Sequence, residues 1–523
     1  MRMFASIAAA LLSVMAVAGA PAAAAPSPLS ARIAAVIARP ALRHAIVGIE
    51  FRDLVTGRRI YALNADTLFA PASTTKTVTV GAALDALGPD FRFHTRAYRL
   101  GAIDAAGTLH GDLVLVASGD PDLSARQHPD DSLAFNDEDH SYGGDPVAGD
   151  ALGPLRDIAR QVAAHGIKTV DGHVLVDASL FPEGDTESGT GFVVSPACLN
   201  DNIVDVRVGP GAAPGQPAVV LATLPVTPYV TFVNQAKTGV ARSPGTVAFA
   251  SDSANADGSR TVTLTGSIAA SGKPVWIQYG VPVPSAFLSA ALRDVLRDNG
   301  IVSAPEAAAP IPPDFHALAL QYTDANLVAD HVSAPLSEEA RVTLKVSQNL
   351  HAHMFPYLLG ALLGHDSVHS NSAGLKIEHD WLARAGLDLT AAAQADGEGT
   401  AAFTPDFMTA YLSYVARQPW YQAFYRSLPV LGRDGTLAGI AQKTPAAGHV
   451  VGKTGTDELP DYLNRGILVS AKGLVGYFTT PSGRRVVFAI YINNLSVKND
   501  AEVDSVAGQT VGELAAIGYE SIR

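Results

Sequence analysis

The chain has 523 residues, of which 48% are hydrophobic and only 17% charged, so it can build sizeable cores and is not an intrinsically disordered chain. That length fits two or three domains rather than one. A formal net charge of −13 argues against a nucleic-acid partner, and the single cysteine, Cys198, leaves neither an internal disulfide nor a cysteine-built zinc cage.

Residues 1–25 read as a signal peptide. Arg2 precedes an uncharged Ala/Leu/Val run, and Ala22-Ala23-Ala24-Ala25 before Pro26 offers a signal-peptidase site. The run is shorter than the roughly 20 apolar residues a membrane span needs, and no later run approaches that length. The mature chain, from residue 26, is therefore expected to be exported, periplasmic or extracytoplasmic, with no transmembrane segment. A short amphipathic helix is expected over 30–39, stopped by Pro40, then strands over 45–51 and 59–62 joined by Thr56-Gly57. Helical spacing follows over 74–87 and ends near Gly88-Pro89.

At the mouth of that helix stands Ser73-Thr74-Thr75-Lys76. Residues three apart share a helix face, so the Lys76 amine can sit over the Ser73 hydroxyl. A serine hydroxyl needs a neighbouring base to attack at neutral pH, and an amine whose pKa is lowered by its surroundings can serve. By itself this pattern occurs on many solvated helix starts.

From 96 to 305 the texture changes to short alternating strands rich in Gly and Pro turns, such as 108–116, 218–221, 230–233 and 259–266, interrupted by a helix near 154–165. A second helix near 285–299 and a Pro-rich connector over 304–313 precede the return. This stretch reads as one or two inserted β-rich domains, between catalytic parts 26–95 and 306–523. Within it, 127–145 is an acidic loop. Its default reading is a solvated, mobile loop; a divalent cation site is the sharper alternative, but the spacing fits no EF-hand and no metal is assigned. After residue 340 helices are expected over 347–363, 375–385, 405–416 and 420–425. A hairpin over 473–478 and 485–492 and a closing helix over 504–516 follow. Together these imply an α+β fold, an antiparallel sheet covered by helices.

Two more motifs follow Ser73-Lys76 in order, Ser347-Gln348-Asn349 and Lys453-Thr454-Gly455-Thr456, the triplet of serine penicillin-recognising enzymes. Each has a decoy, Ser253-Ala254-Asn255 and Lys237-Thr238-Gly239, in the wrong order and inside the insertion. With Leu344-Lys345-Val346-Ser347-Gln348-Asn349-Leu350, Ser427-Leu428-Pro429-Val430, Gly432-Arg433-Asp434-Gly435-Thr436-Leu437 and Gly119-Asp120-Pro121-Asp122-Leu123, the chain resembles the low-molecular-mass penicillin-binding proteins of the D-alanyl-D-alanine carboxypeptidase/endopeptidase type, in the subgroup with large insertions. It departs from that family where Asp396-Gly397-Glu398-Gly399-Thr400-Ala401 replaces the usual Asp-Gly-Ser-Gly-Leu-Ser.

The resemblance implies a β-lactamase/transpeptidase-like catalytic domain acting on peptidoglycan stem peptides and trapped by β-lactams, without a cofactor. In that scheme Ser73 is the acylating nucleophile, Lys76 its neutral base, and Ser347 a proton relay to the leaving amine. Asn349 holds substrate and Lys76. Lys453 offers positive charge to the terminal carboxylate, Thr454 and Thr456 hydrogen-bond it, and Gly455 lets substrate approach the strand. The resemblance also places the oxyanion hole at the backbone N–H groups of Ser73 and Thr456. The insertion is expected to serve substrate choice rather than chemistry. Competing readings are a β-lactamase, for which no Glu-x-x-Leu-Asn is present, an esterase on the same scaffold, and a non-catalytic cell-wall peptide-binding protein. His351 and His353, two apart, point in different directions on a helix, and neither they nor His365 and His369 are assigned a metal. Cys198 reads as a small buried hydrophobe.

Overall fold

The computed structural model describes residues 27–303 and 314–523. The expected signal peptide and the Pro-rich connector at 304–313 lie outside them. Among the described residues, five strands form one antiparallel sheet in the order Val450–Asp461, Gly466–Thr479, Arg485–Val497, Ile46–Asp53 and Arg59–Leu63. Successive side chains on a strand point to opposite faces. Val487, Ala489 and Tyr491 accordingly enter the core beneath the helical lobe, while Val486, Phe488, Ile490 and Ile492 enter the core beneath the terminal helices. Both faces being covered, these strands read as nearly unbroken apolar runs, which is why the sequence exposes them.

The terminal pair Pro28–Ile37 and Gln509–Ser521 packs on one face, with Leu29, Ile33, Leu514 and Ile517 against Ile49 and Phe51. On the other lie Lys76–Leu87, Leu336–Lys345, Asn349–Leu362, Ser370–Arg384 and Pro405–Val415. Asn349–Leu362 is the pivot of this lobe, buried over almost its whole length. Gln348 starts it, its side-chain oxygen accepting the Leu350 N–H at 2.9 Å.

The inserted part is built on a second sheet, in which His94–Ile103 pairs with Thr108–Val116 on one side and with Leu327–Val332 on the other. Strand pairing thus carries this sheet past the expected return at 306. Helices Gly153–Ala164 and Pro284–Asp298 cover it through Leu155, Ile158, Leu288 and Leu292. Beyond it, strands from Ile203–Gly209 to Val275–Gly280 enclose a small core of Val206, Val208, Leu264 and Ile268. Both decoys belong to this module. Lys237–Gly239 is a short strand paired parallel with Ser267–Ala269, and Ser253 lies exposed on the strand Ala248–Ala254.

Between the two parts, charge is buried rather than excluded. Arg126, 2% exposed, donates to Asp139 (3.0 Å) and Asp201 (2.9 Å). His351 Nε2 lies 2.7 Å from Asp201 and its Nδ1 3.1 Å from Glu339. Burial disfavours the imidazolium, but Glu339 and Asp201 hold His351 well above its ordinary range. With both ring nitrogens facing carboxylates, His351 serves as a cation in this seam. His140 is clasped in the same way by Asp201 and Asp205. The signature Gly119-Asp120-Pro121-Asp122 enters the seam where the inserted sheet meets the helical lobe. Gly119 has φ +76°, and a Cβ there would stand 2.5 Å from Leu358 Cδ2. Cys198 is fully buried in the apolar core, as expected.

Candidate active site

Ser73 does not open the α-helix directly. Ala72–Thr75 forms a 3₁₀ turn, with Ala72 in the left-handed region at φ +46°, and the α-helix begins at Lys76. The tighter turn keeps residues three apart in line, and the Lys76 Nζ lies 3.2 Å from Ser73 Oγ. Lys76 is fully buried. Its amine also donates to Ser347 O (2.5 Å), Ser347 Oγ (3.2 Å) and Asn349 Oδ1. The first two motifs therefore converge on one nitrogen, although 271 residues separate Lys76 from Ser347, and the third joins them through Lys453 on Ser347 Oγ.

Ser347 occupies the joint between Leu336–Lys345 and Asn349–Leu362, with φ +64°. A serine in this conformation is strained and persists only where its surroundings fix it. Here they do. Its carbonyl accepts from Lys76 and from the Tyr142 hydroxyl (2.8 Å), and its hydroxyl accepts from Lys453 Nζ (2.8 Å). Tyr142 comes from the inserted part, which therefore touches the chemical centre.

Burial pushes the Lys76 amine down to about 8, against the opposing pull of Glu398, Glu187, Asp396 and Asp139. Lys453 is held well below the usual lysine range, first by burial and then by the positive charges of Lys76 and Lys472. The expected free ammonium at Lys453 is thus turned inward, donating to Ser347 Oγ and Thr454 O (2.8 Å). At Gly455 the strand also meets another backbone closely. A Cβ at that position would stand 2.2 Å from Pro71 O, so the missing side chain lets the nucleophile's own turn rest on the strand.

The cleft in front of Ser73 has a volume of about 800 Å³. Ser347, Asn349, Thr454 and Thr456 line it with Ser73, opposite Asp137, Glu138 and Tyr142. The acidic loop is anchored at two points, although residues 128–130 and 136–138 stay exposed. Asp139 is buried on Arg126, and Asp137 accepts the Gly435 N–H at 2.7 Å. These anchors were invisible in the sequence because Gly435 lies 298 residues from Asp137. Thr436 and Lys472 were also missed. The Thr436 and Thr454 hydroxyls are 2.7 Å apart, and Lys472 reaches Thr456 Oγ1 at 2.8 Å. A lysine in an otherwise apolar strand was the available signal for the second.

The departing loop at 396–401 packs against the site. Asp396 accepts the N–H groups of Glu398, Gly399 and Thr400 (2.9, 2.8 and 3.0 Å), folding the loop around its own carboxylate. Glu398, 2% exposed, accepts the Ser188 N–H (2.7 Å) and faces His353 Nδ1 (2.9 Å). His353 and His351 do point to different partners, as their spacing required. Among the described residues no helix is long and apolar enough to cross a membrane.

The chain is similar to several known proteins. A D-alanyl-D-alanine carboxypeptidase of Actinomadura sp. (strain R39) is 29% identical over 488 residues, covering 88% of this chain and 80% of that protein. The D-alanyl-D-alanine carboxypeptidase DacB of Haemophilus influenzae is 24% identical over 466 residues, covering 86% of each. Penicillin binding protein 4 of Haemophilus influenzae has the same fold, with a TM-score of 0.70 at 20% identity over 93% of this chain and 99% of that one; a second structure of it holds a β-lactam. The family model that describes the D-Ala-D-Ala carboxypeptidase 3 (S13) peptidases matches residues 29–514, and the chain belongs to that family.

Proposed function

We propose that the protein is an exported serine D,D-carboxypeptidase/D,D-endopeptidase of peptidoglycan stem peptides in which Ser73 is acylated with Lys76 as base. The observation that carries this reading is the Lys76 amine, 3.2 Å from both Ser73 Oγ and Ser347 Oγ and pushed down to about 8. Ser73 Oγ attacks the carbonyl between two D-alanines while Lys76 takes its proton. The oxyanion forms against the backbone N–H groups of Ser73 and Thr456. Ser347, held by Lys76 on one side and Lys453 on the other, passes the proton to the departing amine. The C–N bond breaks, D-alanine leaves, and water then attacks the Ser73 ester by the reverse proton route.

Asn349 fixes Lys76 through its Oδ1 and turns its amide toward the substrate backbone. Thr454 and Thr456 receive the terminal carboxylate, with Lys453 behind them. A β-lactam enters by the same attack, which fits the β-lactam complex of the related Haemophilus protein. The division of the chain follows the same reading, with peptidase parts 26–95 and 306–523 around an insert at 96–305 whose sheet borrows Leu327–Val332. The acidic wall of Asp137, Glu138, Asp457 and Glu458 favours peptides that carry positive charge.

Peptide mapping after incubation with penicillin tests the assignment. The adduct is expected on the peptide that contains Ser73. An adduct on Ser253 or Ser347, or none on folded wild-type protein, refutes it.

A further inference from the structure

The carboxylate subsite has an electrostatic gap. Lys453, the cation expected there, is fully buried, donates both to Ser347 Oγ and to Thr454 O, and does not line the cleft. Its charge is disfavoured by burial and by Lys76 and Lys472. A substrate carboxylate beside Thr454 and Thr456 needs a positive partner that survives in the resting enzyme.

Lys472 is placed to be that partner. It stands directly opposite Thr456 in the antiparallel register, so the two side chains share a face of the sheet. Its stem is buried and its amine opens on the cleft, 2.8 Å from Thr456 Oγ1 and 3.5 Å from Asp504 Oδ1. Burial lowers its affinity for a proton, but Asp504 and Glu458 oppose that, a support Lys453 lacks. The hydrogen bond also has a direction. An ammonium only donates, so Thr456 Oγ1 accepts from Lys472, and the Thr456 hydroxyl proton is left to donate to another group. The cleft lies in front of it.

Building on the peptidase reading above, we infer that Lys472 is the cation of the terminal-carboxylate subsite and the residue that aims the Thr456 hydroxyl at that carboxylate. Lys453 then belongs to the proton relay through Ser347, and selection for a free C-terminus belongs to the neighbouring strand. Lys472 acts as a positioning and specificity residue; no covalent step passes through it.

The test uses a pair of acyl-D-alanyl thioesters, one with a thioglycolate leaving group that bears a carboxylate and the other its methyl ester. Wild-type protein should prefer the free carboxylate. In Lys472→Met the ratio of kcat/KM between the two substrates should fall about 30-fold, the loss of one charge-assisted hydrogen bond, and mostly through KM. Lys472→Arg should keep most of the ratio, and the exposed Lys376→Met should leave it unchanged. Thr456→Val, which removes the hydroxyl between Lys472 and the substrate, should lower the ratio in the same direction and carries the test if Lys472→Met does not fold. Equal loss on both substrates, or an unchanged ratio, overturns the inference. Failure of wild-type protein to acylate at Ser73 would instead sink the peptidase reading, so the two failures are distinct.

Discussion

In the proposed mechanism acylation requires the neutral amine of Lys76, and a lysine is neutral only above its pKa. With that value at about 8, the rate of penicillin acylation should rise with pH through a midpoint near there. Glu398 is the largest influence holding the value up. Being 2% exposed, it is poorly screened by solvent. At an effective dielectric of about 20, a nearby buried unit charge is worth on the order of 1 to 2 kcal/mol, or about one pH unit. Glu398→Gln removes that charge yet keeps an oxygen for the Ser188 N–H. His353, deprived of its counter-charge, then loses its proton more readily, which trims the effect. The sign is fixed. Loss of a nearby anion destabilises the ammonium, so the midpoint should move down by about one unit, toward pH 7. Stopped-flow acylation across the pH range gives the midpoint directly, and far-ultraviolet circular dichroism at each pH confirms the fold. A midpoint that stays in place or moves upward would refute the account of how Lys76 is tuned.

Two further outcomes separate the site from its surroundings. Gly455→Ala should slow penicillin acylation by about 100-fold with the fold retained, because a methyl group 2.2 Å from Pro71 O must push the nucleophile's turn off the strand; an unchanged rate would show that the turn has slack. Lys453→Ala should cut peptide turnover by about 100-fold or more, on the order of 3 kcal/mol, whereas Lys237→Ala should be near neutral. Equal effects in the two steady-state assays would contradict the choice between the motif and its decoy.

The framework was legible because its signals are local. Sheet strands buried on both faces read as apolar runs, so 45–51, 59–62 and 485–492 match Ile46–Asp53, Arg59–Leu63 and Arg485–Val497, with starts that agree to within one residue. The three motifs were legible because each is a few residues long and held to its chemistry by spacing. Leu336–Lys345 was not read as a helix, since Ser337, Glu338, Glu339 and Arg341 interrupt its apolar positions. All three charges turn out to be bound. Glu339 is buried against His351 and Thr343, while Arg341 and Glu338 pair 2.5 Å apart. Lys472 was hidden for the same reason. Its meaning depends on the residue opposite, and pairing register is a tertiary fact.

The insertion shows most clearly where reading by segment fails. All three motifs lie outside it, and its texture is that of separate β modules, which favours a role in substrate choice alone. Yet the Tyr142 hydroxyl holds the Ser347 carbonyl, Asp137 holds the Gly435 N–H, and the Ser188 N–H lies on Glu398, the carboxylate that tunes Lys76. The seam is ionic as well. His351 of the helical lobe takes one carboxylate, Glu339, from its own side and another, Asp201, from the insert. Buried charges of this kind tolerate loss of a partner badly, because the one left behind stays desolvated. Ser347 therefore keeps its left-handed conformation through contacts from both parts. On the proposed reading the insert acts on the chemistry by fixing the residues that perform it, while its acidic loop lines the cleft in front of Ser73.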